Sequence, residues 1–131
     1  MSGLVESSAD ARSKTIGQNF RVRASVYFNG QGTAPTSFIN GSQNVTSVTE
    51  NYSNDYTVNF TSALPNANYS ASVSVGMINN GDGPVNTYVM CNRNRSSGNH
   101  VSPTTTAFRF NTYSSTTTQQ QYTDVYVIIT G

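Results

Sequence analysis

Asn44-Val-Thr-Ser-Val-Thr-Glu-Asn51, Asp55-Tyr-Thr-Val-Asn-Phe60, Leu64-Pro-Asn-Ala-Asn-Tyr69 and Ser70-Ala-Ser-Val-Ser-Val75 follow one another almost without a break, and their rhythm decides the fold. Tyr56, Val58 and Phe60 fall on one side of a period-2 pattern, with Thr57, Asn59 and Thr61 on the other. Val73 and Val75 resume the alternation after a Pro/Asn turn. Apolar and polar residues alternating over such runs describe half-buried strands joined antiparallel.

Working outward, Phe20 to Phe28 repeats the pattern, with Phe20, Val22, Ala24, Val26 and Phe28 on one face and Arg21, Arg23, Ser25 and Tyr27 on the other. Asn29-Gly30 and Gly32 turn the chain. A short strand at Ser37 to Ile39 is expected to end in a hairpin at Asn40-Gly41, since both residues accept positive φ. Val45 and Val48 lead into a polar turn from Glu50 to Asn54. Further strands are expected at Tyr69 to Ile78, Val85 to Cys91 and Ala107 to Phe110. Polar loops at 79–84, 92–103 and 114–121 separate them. Strands alternating up and down would put the turns at Gly30–Pro35, Pro65–Asn68 and Asn92–Pro103 at the end away from the N-terminus.

Tyr122 to Thr130 breaks the rule. Val125, Val127 and Ile129 make one apolar face, but Tyr126 and Ile128 make the opposite face apolar as well. A strand apolar on both faces needs cover on both. Tyr126 and Ile128 are therefore expected to be buried against a neighbouring subunit. The expected fold is all-β: an antiparallel β-sandwich, jelly-roll-like, over residues 19–131, preceded by an arm at residues 1–18. For that arm two readings stand, a disordered tail or a segment attaching the domain to something larger.

Composition agrees. The 131 residues are 35% hydrophobic and only 10% charged, with 8 Tyr and 6 Phe in periodic positions. Charge this low, far below the usual level of about 25%, leaves Ser, Thr and Asn to fill turns and pleated surfaces. A net charge of +1 gives no electrostatic case for nucleic acid or an anionic membrane. No run has the length of a membrane-spanning helix, and the N-terminal stretch lacks an apolar h-region. The single Cys91, within Tyr-Val-Met-Cys, reads as a buried thiol acting as a small hydrophobe.

Chemistry is scarce. One His, one Cys and 6 acids are scattered singly, so no metal site, cofactor or catalytic constellation is expected. Asp82, alone in an Asn/Asp/Gly turn, reads as turn geometry. Asp55 opens a strand where an acid satisfies backbone donors. Sequons at Asn40, Asn44, Asn51, Asn59, Asn68 and Asn94 read as chance recurrence in a chain so rich in Asn, Ser and Thr. The best binding candidate is Asn92-Arg-Asn-Arg-Ser-Ser-Gly-Asn-His100. It sets Arg93 and Arg95 among Asn94, Asn99 and His100, a donor-rich surface suited to sugar hydroxyls, carboxylates or phosphates. A solvated loop kept soluble by its charges is the alternative reading.

Arg21-Val-Arg-Ala-Ser-Val-Tyr-Phe-Asn-Gly-Gln-Gly-Thr33, with Asn44 to Asn51, Asp55 to Phe60, Pro65 and Ala67-Asn-Tyr69, resembles a β-rich domain of tail-fibre and related virion proteins of tailed bacteriophages, notably those of aquatic and cyanobacterial hosts. Ala11-Arg-Ser-Lys-Thr-Ile-Gly17 also fits, and the likeness runs from Ala11 to Val75. Ser25 departs from it, standing where the pattern has an aromatic residue. The resemblance implies a homotrimeric β-sandwich on the virion, at a fibre tip that contacts a host-surface glycan or protein. The N-terminal arm would then engage other virion proteins. A capsid decoration (cement) protein or structural tail component, binding virion proteins only, is the alternative.

Overall fold

The computed structural model describes residues 21–31, 39–76, 87–114 and 121–131. Eight strands occupy them: β1 (Val22–Phe28), β2 (Ile39–Gln43), β3 (Val45–Tyr52), β4 (Asp55–Phe60), β5 (Ser70–Val75), β6 (Tyr88–Cys91), β7 (Ala107–Tyr113) and β8 (Val125–Thr130). They form two four-stranded sheets, ordered β2-β1-β8-β5 and β3-β4-β7-β6, with every pairing antiparallel. The all-β sandwich expected from the alternation is the fold. Three hairpins (β1–β2, β3–β4, β6–β7) stay within a sheet, and the other connections cross between the two. Residues 1–18, the expected arm, lie outside the described residues, as does Phe20.

The period-2 faces meet as the alternation requires. Ala24, Val26 and Phe28 of β1 and Val125, Val127 and Ile129 of β8 face Val48, Tyr56, Val58, Phe60, Phe108 and Phe110 of the other sheet, all buried. An aromatic slab runs through the middle: Phe28 meets Tyr56 edge-on at 5.2 Å, and Tyr56, Phe110 and Phe108 follow at 5.6 and 5.8 Å. Such contacts add directional packing to area burial. Buried phenols need partners: Tyr56 donates to Gly30 O (2.6 Å), Tyr122 to Tyr113 O (2.9 Å) and the partly buried Tyr69 to Ala107 O (3.0 Å), while the Tyr113 hydroxyl accepts from Arg93 Nη1. At Gly30 an added Cβ would meet Tyr122 O at 2.7 Å and Tyr56 Oη at 2.9 Å, so this turn closes only over glycine.

Three expectations need correction. Asn40-Gly41 is no hairpin; it lies inside β2, paired with β1. The chain changes direction instead at Asn44 (φ 53°), where it leaves one sheet for the other. Its amide donates to Arg23 O and Ser62 O and accepts from Ser62 N, pinning the corner. Cys91 is exposed, not buried. Its register partner is Phe110, so it sits on the core-facing side, but β6 is a four-residue edge strand and nothing among the described residues covers its rim. Third, Pro65–Asn68 lies at the same end as Arg21, beside Arg23 and Gly131, because the β4–β5 connection crosses between sheets there. The strands are also trimmed: β5 ends at Val75 and β6 starts at Tyr88, whereas β7 runs on to Tyr113.

Candidate functional site

The Asn92–His100 loop rests on the outer face of the second sheet, and that face explains why it holds one shape. Alternation turns Asp55 of β4 and Arg109 and Asn111 of β7 away from the core; Asp55 stands opposite Asn111. Both are nevertheless 0% exposed. The loop is folded over Asp55, with the Arg95 N–H on its carboxylate.

Asp55 is the anchor. Its carboxylate accepts from Arg109 Nε (2.8 Å) and Nη2 (2.7 Å), a two-pronged ion pair, and from Asn51 Nδ2 (3.2 Å). The main-chain N–H of Arg95 donates to its second oxygen at 3.1 Å. The bond to Asp55 raises the pKa of the Arg109 guanidinium, keeping it charged. The expectation that Asp55 satisfies backbone donors is met once, at Arg95. Its larger role, pairing with Arg109, has no local sequence signal.

Above that anchor the loop ties itself. Asn92 enters at φ 57°, and its N–H donates to Arg109 O. Arg93 bridges His100, and Asn94 N donates to Asn99 O at 2.9 Å. The Asn94 side chain accepts from Ser96 N and Ser97 N, the local bond that makes Asn a turn residue. Gly98, at φ 71°, closes the turn with a 2.8 Å bond to Asn94 O. Val101 N returns to Asn92 O.

Both arginines are held by the fold. Arg93 Nη1 donates to Tyr113 Oη and lies 3.2 Å from Met90 Sδ. Arg95 Nη1 donates to Ser53 O (2.6 Å), with its guanidinium 5.3 Å from the centre of the Tyr52 ring. These contacts place the loop against the β3–β4 turn, at the end of the sandwich away from Arg21. Asn99 and His100 are exposed, and Arg93, Asn94 and Arg95 are partly so. All five expected binding residues therefore stand on one short, braced loop. Exposed Tyr52 and Met90 border it, beside Arg95 and Arg93 respectively.

Four buried polar atoms have no partner among the described residues: both amide atoms of Asn111, and the side-chain oxygens of Asn92 and Asn54. Each such group costs about 1–3 kcal/mol when buried. Among the described residues no three His, Cys, Asp or Glu side chains gather where they could hold a metal ion.

The opposite sheet carries the expected interface residues. Tyr126 and Ile128 are 42% and 45% exposed on the outer face of β8. Tyr126 also has a partner within the chain: its ring stacks on Tyr27 of β1, centroids 4.6 Å apart and planes 8° from parallel. Tyr27 Oη donates to Asp124 Oδ1 at 2.7 Å. That bond, with some desolvation, pushes the Tyr27 phenol up to about 12. The sequence signal for this stacking is slight: Tyr27 shares a face with Ser25, opposite a strand apolar on both sides.

Comparison with family models, with curated proteins and with solved structures returned no match for this chain.

Proposed function

We propose that this chain is a non-enzymatic recognition module of a phage virion, a fibre or fibre-tip domain that meets the host surface through the Asn92–His100 loop. The observation that carries this reading is the loop's bracing. A polar turn bearing Arg93, Arg95, Asn99 and His100 is fixed by a buried ion pair and its own backbone bonds, and sits on a rigid sandwich. Preorganised polar loops lose little conformational entropy on binding, and rigid scaffolds commonly carry recognition on their loops. The resemblance over Ala11 to Val75 supplies the virion setting.

In this reading three copies assemble through the β8–β5 half of the first sheet, where Tyr126 and Ile128 stand beside the small side chains of Ser72 and Ser74. Trimerisation multiplies weak loop contacts by avidity. The N-terminal arm joins other virion proteins. The exposed apolar pair also supports a second reading, a decoration or structural tail protein that uses such surfaces only on virion partners.

Fluorescently labelled protein applied to a panel of bacterial cells tests the first reading. Labelling that disappears with Arg93→Ala/Arg95→Ala supports it. Protein that ignores every cell but occupies particles in many copies, seen by cryo-electron microscopy, replaces it with the second. Sedimentation of the purified protein reads the trimer, which Ile128→Asp should dissociate.

A further inference from the structure

The tyrosine pair of the first sheet stands like a fin, and its geometry fixes where its free faces look. Tyr27 and Tyr126 are direct cross-strand partners, and their parallel rings lie 4.6 Å apart. Neighbouring strands are spaced about 4.8 Å, so the ring planes stand across the strand-to-strand direction. One face of Tyr27 is therefore covered by Tyr126, and the other looks toward β2. Its register partner on that side is Gly41. Glycine offers no side chain, and a Cβ built there meets nothing within 4 Å among the described residues. The result is an aromatic wall over a bare backbone floor, at the edge of the sheet.

The wall is rigid, being stacked on one side and tied at its hydroxyl to Asp124. The next cross-strand row places Ser25 beside Gln43, a hydroxyl and an amide alongside the floor. The ledge itself is uncharged: Ser25, Tyr27, Gly41 and Gln43 are all neutral, the Asp124 carboxylate is engaged by the Tyr27 hydroxyl, and Arg23, the charged residue of β1 on this face, lies one row beyond Ser25 with its guanidinium donating to Gly131 O. A ledge of this kind matches a neutral ligand. The negative face of an aromatic ring attracts polarised C–H groups, and hydroxyls around such a ligand's rim suit Gln43 and Ser25.

We propose that the Tyr27–Gly41 ledge is a carbohydrate subsite, in which a neutral pyranose ring stacks on the free face of Tyr27 above Gly41 and hydrogen-bonds to Gln43 and Ser25. This deepens the recognition reading by naming a ligand class, and it uses the sheet opposite the Asn92–His100 loop. It also separates two roles on one face: the β2–β1 half takes sugar, and the β8–β5 half is left for the subunit contact.

The test is a nuclear magnetic resonance titration of the whole chain with methyl β-glucoside, methyl β-galactoside and N-acetylglucosamine trisaccharide, with sialyllactose as the charged comparator. At least one neutral sugar should shift the Tyr27 ring signals. Gly41→Val should weaken that sugar at least tenfold, about 1.4 kcal/mol. Because valine suits a strand and space is open at this position, Gly41→Val should leave the melting temperature unchanged or higher, so lost binding cannot be ascribed to unfolding. The proposal is overturned if no neutral sugar moves Tyr27, if Gly41→Val binds normally, or if the Tyr27 shifts follow protein concentration alone, which would make the ledge a contact between copies. Cell labelling lost with the arginine pair but untouched by Gly41→Val would sink the ledge and leave the loop standing.

Discussion

Replacing Asp55 with alanine should show how much of the sandwich depends on one carboxylate. Asp55 is fully buried and accepts four hydrogen bonds, two of them from the charged Arg109, whose own side chain is 18% exposed. Removing one partner of a buried pair costs about 3–5 kcal/mol. Arg109 retains some access to water, so about 3 kcal/mol applies, and the stranded Arg95 N–H adds about 1 kcal/mol. The expected loss is about 4 kcal/mol. At a melting entropy of about 2.1 cal/mol/K per residue, a chain of this size should melt roughly 15 °C lower. Domains of this size hold about 5–15 kcal/mol in reserve, so the variant should still fold. Urea titration followed by circular dichroism gives the loss, and amide exchange at Arg95, Gly98 and Val101 reports on the loop. Replacing both partners, Asp55→Leu with Arg109→Met, should recover most of the stability, because no charge is then left unpaired. A single-mutant loss below about 1 kcal/mol, or loop amides as protected as in the parent, would refute the anchoring argument.

Asn44→Gly should cost less than Asn44→Ala, by about 1 kcal/mol, since alanine also pays for the left-handed corner while both lose the amide bonds; chemical denaturation of the two variants checks the order. Gly30→Ala should destabilise by about 1–3 kcal/mol, because its Cβ meets Tyr122 O and Tyr56 Oη, and the loss should show in the melting curve. Tyr27, with its phenol raised to about 12, should ionise after exposed tyrosines in an alkaline absorbance titration, and Asp124→Asn should bring it back toward 10. The sign follows. A phenol whose folded pKa lies above its unfolded value of 10 adds stability in full below pH 10, and that contribution is lost as pH rises from 10 through 12. Cys91, exposed but with its thiol pushed up by partial desolvation, should react with a thiol reagent in the native protein, more slowly at pH 8 than free cysteine.

Much of the sandwich could be read before the structure because alternation survives wherever a strand is regular. Tyr56, Val58 and Phe60 show this, as do Val125, Val127 and Ile129. It fails where a bulge shifts the count. Val45 and Val48, three apart, are both buried because the register slips between Val45 and Ser47, so β3 read as a lead-in to a turn. Asn-Gly is a hairpin signal only if the chain must turn there, and at Asn40-Gly41 pairing with β1 prevailed. The apolar run at Cys91 misled because composition does not say which strand lies at an edge. The binding loop was visible as a polar segment, but its bracing was not. Asp55 and Arg109 are 54 residues apart in sequence, and only the β4–β7 register brings them together.

β1 and β8 lie side by side at the centre of the first sheet, with Tyr27 and Asp124 joined across 97 residues. Neither half of the polypeptide can therefore close that layer alone. During synthesis the early strands must wait, greasy side exposed, until β8 has cleared the ribosome. Long-range closures of this kind fold slowly, and the sparse charge and abundant hydroxyls of the early strands would help keep the waiting segment in solution. Premature termination before Val125 should accordingly leave no partly useful fragment, only chain for the cell to degrade.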